Sequence, residues 1–276
     1  MKHLSEKVII NLANQARLLT AKMFGESGQG GHIGGSFSAA EILIVLYNGI
    51  LKIDPQNSQW ELRDHFILSK GHISGMLASV LHLRGFFDEK LLGTYDELGS
   101  AFGMHTTTHI PGCEFSAGSL GHGLGFSVGI ALGKKIDKID SRVFTLMGDG
   151  ELNAGPIWEA AMSANKFKLD NLTAIVDRNG CNMEGSTEKQ MPLENLEDKW
   201  KSFGWSVRTI DGHSIPILYE TLKSVPFETS KPSIIIAKTV KGKGITSFEG
   251  NYTCHYVGQI KEKWEENYQE LSRLCN

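Results

Sequence analysis

The sequence predicts an α/β protein, a parallel β-sheet with helices on both faces, and three observations predict it. Apolar, β-branched runs of strand length lie at Val143 to Met147, Leu172 to Val176 and Ser233 to Thr239; stretches with helical apolar spacing separate them; and the first two pass directly into polar turns. The segment from Val143 to Gly185 holds the pattern at its clearest, with Ile157 to Lys168 as a helix between two strands. Its turns, Gly148-Asp149-Gly150 and Asp177-Arg178-Asn179-Gly180, then open at the same carboxyl edge of the sheet.

The remaining elements follow in order. Leu4, Val8, Ile9, Leu12, Ala16 and Leu19 recur at helical spacing, so the first two dozen residues predict an amphipathic helix packed on the sheet. Ser27 to Gly35 is too rich in glycine for a helix, and a capping box, Ser38 with Glu41, starts the next helix before Ile42 to Tyr47. A helix start behind glycines suits an anion. His32 in this loop fits either a histidine bonded to backbone or a catalytic group.

His65 to Ser69 reads as a strand, with Lys70-Gly71-His72 as its exit turn and a helix through Met76, Leu77, Val80, Leu81 and Leu83. A helix over Asp88 to Leu98 leads to an irregular stretch, Gly99 to Gly118, that carries His105 and His109. Gly118 to Gly125 opens another helix, whose glycines suit close backbone approach to a ligand or packing against a helix. Then come a helix near Leu193 to Phe203, a strand at Trp205 to Ile210, the turn Asp211-Gly212-His213, a helix with Ile217 to Leu222 and the strand ending at Thr239. After the Lys241-Gly242-Lys243-Gly244 turn and His255, an amphipathic helix carries Trp264, Tyr268 and Leu271 to Leu274, with Lys261-Glu262-Lys263 on its solvated face.

Composition excludes several classes. The 276 residues suit one large domain, 1–276, and the 31 glycines suit many tight turns. With 28 basic against 31 acidic side chains and no basic block, nucleic acid drops out as a partner. The four cysteines, Cys113, Cys181, Cys254 and Cys275, show no Cys-x-x-Cys pair, so they predict reduced thiols and neither zinc nor a disulfide framework. No signal peptide or apolar span of about eighteen residues is present, which predicts a cytoplasmic protein without a membrane partner.

Asp149 and Asn179 carry the first chemical expectation. A carboxylate and an amide oxygen facing one ligand suit Mg²⁺, which takes few protein ligands and completes its octahedron with phosphate oxygens. Alone, the glycines around Asp149 fit a tight turn equally well. The spacing of Gly-Asp-Gly to Asn179, about thirty residues, resembles the thiamine diphosphate motif.

Several blocks in order resemble the N-terminal half of transketolase, and especially its split form, in which that half is a separate chain. They are GGHIGG with SAAEIL, LSKGH, GSLGHGLG, GDGELN, DRNG and KGKG, and the likeness covers nearly the whole chain. The resemblance implies the thiamine diphosphate-binding fold, with Asp149, Asn179 and the main-chain carbonyl of Cys181 as Mg²⁺ ligands. It implies Gly148, Gly150 and His72 at the diphosphate, Gly118 and Leu120 beside the aminopyrimidine, and His255 near the cofactor. It also implies that His32, His72, His105 and His255 surround the reacting carbon, bind sugar hydroxyls and relay protons, work that suits a side chain titrating near neutrality.

Two departures stand out. The family commonly has Glu where this chain has Ala154, a position linking two cofactor sites, and it usually reads Gly-His-Pro near the donor pocket where this chain has Gly103-Met104-His105-Thr106-Thr107. His109 therefore competes with His105. The family's activating glutamate, its aromatic cage and its phosphate-binding residues lie on the pyrimidine-binding domain, which is absent here and implies a C-terminal partner chain of about three hundred residues in an α2β2 assembly. The implied activity is transfer of a two-carbon ketol unit from a ketose to an aldose. Rival expectations are the α subunit of a 2-oxo acid dehydrogenase, a deoxyxylulose-phosphate-synthase-like fragment and a non-catalytic scaffold subunit.

Overall fold

A computed structural model describes residues 5–258 and 261–275. Leu4 lies outside them, as do the side chains of Lys261, Glu262 and Lys263, on which the expected solvated face rests. The chain opens with α1 (Glu6–Ser27), the short helices α2 (Ile33–Ser38) and α3 (Ala40–Val45), β1 (His65–Leu68) and α4 (Ser74–Arg84). Next come α5 (Gly123–Ile136), β2 (Val143–Gly148), α6 (Gly155–Lys166) and β3 (Leu172–Arg178). The order closes with α7 (Thr187–Gln190), α8 (Leu196–Ser202), β4 (Ser206–Asp211), α9 (Ile215–Lys223), β5 (Ser233–Lys238) and α10 (Lys261–Leu274).

The strands form one five-stranded sheet in the order β1-β2-β3-β5-β4, parallel at every pairing. Side chains alternate across a strand, and here each set finds its own apolar layer. Phe144, Leu146, Ile175, Ile235 and Ala237 pack into the cluster built with α1, α3, α4 and α9. Val143, Met147, Ala174, Val176, Ile234 and Ile236 pack into the one built with α5, α6 and α8. Each fully buried aliphatic side chain contributes roughly 1.5–3 kcal/mol by leaving water, so two-sided burial is what holds a sheet this apolar. Trp200 anchors the second layer, its ring 5.0 Å from Trp158 and 5.1 Å from Trp205.

Register brings the polar turns into line. Gly148 pairs with Asp177, Asp177 with Ala237, and Arg178 with Lys238, so the exits of β2, β3 and β5 lie side by side at the carboxyl edge. No described helix is long and apolar enough to cross a membrane.

Four local expectations are corrected. The glycine-rich segment is helical from Ile33 to Ser38, and all six residues are buried, so tertiary contact overrides low propensity. Ser38 is consequently inside a helix; its hydroxyl donates to Asp177 Oδ2 (2.6 Å) while Glu41 pairs with Arg17, and no capping box forms. Over Asp88 to Leu98 only Glu89–Thr94 is helical, as a 3-10 turn, because Asp96 takes a left-handed conformation (φ 59°) that ends it. The helix expected to open at Gly118 begins at Gly123.

Candidate active site

The floor of the site is the aligned exit of β2 and β3. Asp149 is buried immediately after β2; its Oδ1 accepts from Gly150 N (2.8 Å), and its Oδ2 from Gly180 N (2.6 Å) and Arg178 Nη1 (3.1 Å). Burial, and then the charge of Asp177, raise its pKa, against the pull of Gly180 N–H and Arg178. An adjacent cation would relieve that cost. Asn179 Oδ1 accepts from Cys181 N (3.2 Å), and Cys181 O accepts from Lys241 Nζ (3.2 Å).

The turn thus offers one carboxylate, one amide oxygen and one main-chain carbonyl, a hard set that fits a Mg²⁺ ion sharing phosphate oxygens and water. Among the described residues no group of three or more His, Cys, Asp or Glu converges to hold a metal by protein ligands alone. That agrees with a site containing a single carboxylate.

Beneath the turn lies an ion pair that the sequence reading did not single out. Lys70, just past β1, donates to Asp177 Oδ2 at the end of β3 (2.5 Å), with the two side chains 2% and 0% exposed. Asp177 also accepts from Ser38, from Asn179 Nδ2 (3.1 Å) and from Thr239. Burial alone would raise its pKa, but Lys70 and the two hydroxyls outweigh it and hold the carboxyl below its ordinary value. This pair joins α2, β1, β3 and the exit of β5 directly under Asn179.

Above the floor four histidines converge. The His32 ring centroid lies 5.1 Å from that of His72, 5.4 Å from His255 and 6.0 Å from His105, and His72 stands 5.5 Å from His255. His105 is exposed, and of the two competitors it is the one whose ring borders His32; His109 sits on the turn that leads to Ile110. His255 reaches the cluster because its segment folds back through an antiparallel bridge between Gly31 and Val257.

Close approach depends on Gly34 of α2. A Cβ at Gly34 would lie 2.7 Å from Cys254 Sγ, and one at Gly35 would lie 3.4 Å from both His72 Nε2 and Lys70 Nζ. Lys241 connects the histidines to the floor, its Nζ 3.0 Å from His255 Nδ1 and donating to Cys181 O and Asn182 O (3.4 Å).

This crowding disfavours charge on three of the four rings, His32, His72 and His255. Burial first, then His105 and Lys241, lower the His32 pKa to about 4; burial, then Lys241 and His32, lower that of His255 to about 3. His72 is pushed well below its ordinary value by burial and by Lys70, and Lys241 is itself lowered by burial and by Lys70. His32 Nδ1 is buried with no hydrogen-bond partner among the described residues. An orphaned nitrogen, neutral imidazoles and a buried ammonium beside oxygen ligands together fit a polar, anionic cofactor and its substrate.

Gly118 and Leu120 stand on the exposed loop entering α5. Ala117 N donates to Thr106 O (3.1 Å) and Thr106 N to Gly71 O (3.2 Å), which layers this loop and the His105 segment over the Lys70-Gly71-His72 turn. Glu151, also not singled out in the sequence, is buried and accepts from Gly121 N (2.8 Å), Gly148 N (3.0 Å) and Ser69. It ties the Gly118 loop to Gly148. Ala154 sits at the start of α6, where a Cβ at Gly121 would come within 2.7 Å of its methyl.

The family model for "Transketolase, thiamine diphosphate binding domain" matches residues 9–265. The chain is 40% identical to an apulose-4-phosphate transketolase subunit of Phocaeicola vulgatus over 88% of its length and 86% of that protein. It is also 40% identical to a 6-deoxy-6-sulfo-D-fructose transketolase subunit of a Clostridium species, over 95% of each. Among solved structures, transketolase from Campylobacter jejuni superposes with a TM-score of 0.87 at 31% identity, covering 96% of this chain and 43% of that one. The chain therefore spans less than half the length of that solved enzyme.

Proposed function

The chain belongs to the transketolase family, as a thiamine diphosphate-binding domain, and from that premise we propose that it is the N-terminal subunit of a two-chain transketolase. In this reading it moves a two-carbon ketol unit from a ketose bearing an anionic group to an aldose, with Mg²⁺ as second cofactor. The observation that carries it is the union of His32, His72, His105 and His255 with the Asp149, Asn179 and Cys181 oxygens through one buried lysine, Lys241.

Bound thiamine diphosphate would supply the nucleophilic carbon that such carbon–carbon bond transfer requires. The protein's part follows from its own groups. Asp149, Asn179 and the Cys181 carbonyl would hold Mg²⁺; Gly148 and Gly150 would let the backbone approach the diphosphate, to which His72 and Lys241 would donate. Gly118 and Leu120 would lie beside the aminopyrimidine. His32 and His255, held neutral by burial, and the exposed His105 would hold sugar hydroxyls and pass protons to and from their oxygens.

A partner chain belongs to the same proposal. On α5 the glycines at 125, 129 and 133 recur every fourth residue, and a Cβ at Gly129 or Gly133 would touch nothing among the described residues. Beside them Phe126 is 42% exposed, Leu120 39% and Met162 55%. A smooth apolar face on α5 and α6 supports docking of a C-terminal subunit there, in an α2β2 assembly, and that subunit would supply the pyrimidine-binding groups. A cytoplasmic location is part of the proposal and rests on the reduced thiols predicted from cysteine spacing.

Capture of the tagged chain from its own source with thiamine diphosphate and Mg²⁺ tests the reading. A stoichiometric partner of about three hundred residues, with ketol transfer in the eluate and none from the chain alone, is expected. Transfer by the chain alone, or a complex without any, sinks it.

A further inference from the structure

In the Asp211-Gly212-His213 turn, away from the histidine cluster, the histidine is bonded at both nitrogens. His213 Nε2 accepts from Val240 N (2.9 Å), and Nδ1 lies 3.0 Å from Glu41 Oε2. A backbone N–H is a donor only, so Nε2 is bare and Nδ1 carries the proton. The acceptor is equally unambiguous: Glu41 is bound by Arg17 Nη2 at 2.7 and 2.6 Å, and although burial opposes it, Arg17 and His213 lower its pKa to about 2.

Val240 is where the sheet runs out. Thr239 N still donates to Arg178 O on β3, but the next N–H has no strand to reach and is taken by His213. On the other side of Lys241, Gly242 N donates to Gly34 O of α2 (3.0 Å). Lys241 is therefore clamped from both sides, and its ammonium lands on His255.

We propose that His213 is a positioning residue for the site, a neutral bridge from Glu41 on α3 to Val240 that sets the turn presenting Lys241 to His255 and to the Cys181 carbonyl. Its consequence for turnover rests on the ketol-transfer reading; its consequence for the geometry rests on this chain alone. Losing the bridge leaves the Val240 N–H without its acceptor, while Glu41 Oε2 keeps Arg17, and the turn shifts to reach another acceptor.

The test has two arms. In the full chain at about pH 7.5, ¹⁵N spectra of histidine should show His213 protonated at Nδ1 and bare at Nε2; an Nε2–H ring or a doubly protonated one overturns the proposal. In folded His213→Leu the His255 ring resonances should move, and in His213→Gln, which keeps an acceptor and a donor, they should return; unmoved His255 signals in the leucine variant overturn it. With the partner chain and cofactors, His213→Leu should lower kcat about tenfold while KM for the ketose changes about twofold or less, with glutamine recovering most of the loss. An active complex indifferent to His213→Leu refutes the proposal. A wild-type complex without transfer refutes the functional reading instead, and the spectra then decide on His213.

Discussion

Replacing Asp177 with asparagine keeps the shape of the side chain and removes the charge that neutralises Lys70. Both groups are buried, 0% and 2% exposed, and the Lys70 ammonium has Gly35 O (3.1 Å) as its other acceptor. Breaking a buried pair from one side typically costs about 3–5 kcal/mol, because a charge is left without compensation. Here the cost has a ceiling, since the stranded lysine escapes by giving up its proton. That costs about 1.4 kcal/mol for each unit between the pH and the reference lysine pKa of about 10.4, hence about 4 kcal/mol at about pH 7.5 and about 2 at about pH 9.

Denaturant unfolding of wild type and Asp177→Asn at those two pH values measures the difference directly. The expected loss shrinks by about half across the interval, and adding Lys70→Met to Asp177→Asn returns most of it at the lower pH. A loss below about 1 kcal/mol, or one that does not move with pH, refutes the idea that this pair is the electrostatic keystone of the floor.

Three further outcomes are expected. His32 and His255 have native pKa values of about 4 and about 3, below the unfolded value, so the unfolded chain takes protons first and stability falls as pH drops below about 6.5; melting at about pH 5 against about pH 7 should show a loss of about 1 kcal/mol per ring after screening, which His32→Gln/His255→Gln removes. Asp149→Ala, assayed in the complex, should abolish Mg²⁺-dependent activity by at least about a hundredfold and remove Mg²⁺ binding by calorimetry. Lys241→Met should weaken thiamine diphosphate binding by about tenfold or more through loss of a charge-assisted contact, read as Kd in the complex.

The sheet was legible because β-branched runs buried on both faces have no other reading, and β2, β3 and β5 begin and end within two residues of the expected bounds. The Asp149 and Asn179 turn was legible because both residues follow strands of one βαβ unit. What failed locally failed for tertiary reasons. Ser38 and Glu41 carry the letters of a capping box, but their partners are Asp177 and Arg17, 139 and 24 residues away. The Ile33–Ser38 helix is held by burial that no helix propensity encodes.

The partnerships of the site were hidden in the same way. Lys70 with Asp177, Glu151 with Gly121, and Lys241 with His255 are each pairs of residues from separate turns, and no spacing rule connects them. The histidine cluster could be proposed from family likeness, whereas the lowered pKa values of His72 and His255, set by burial and then by Lys70 and Lys241, could not.

Carbon tracing through the reconstituted complex tests the central claim most directly. A ketose labelled with ¹³C at its first two carbons is mixed with an unlabelled aldose, thiamine diphosphate and Mg²⁺, and the products are followed by NMR. Both labels, still bonded to each other, are expected at the first two positions of a new ketose, with none formed when Asp149 is alanine. Labelled carbon dioxide, or labels confined to the starting sugar, would contradict it.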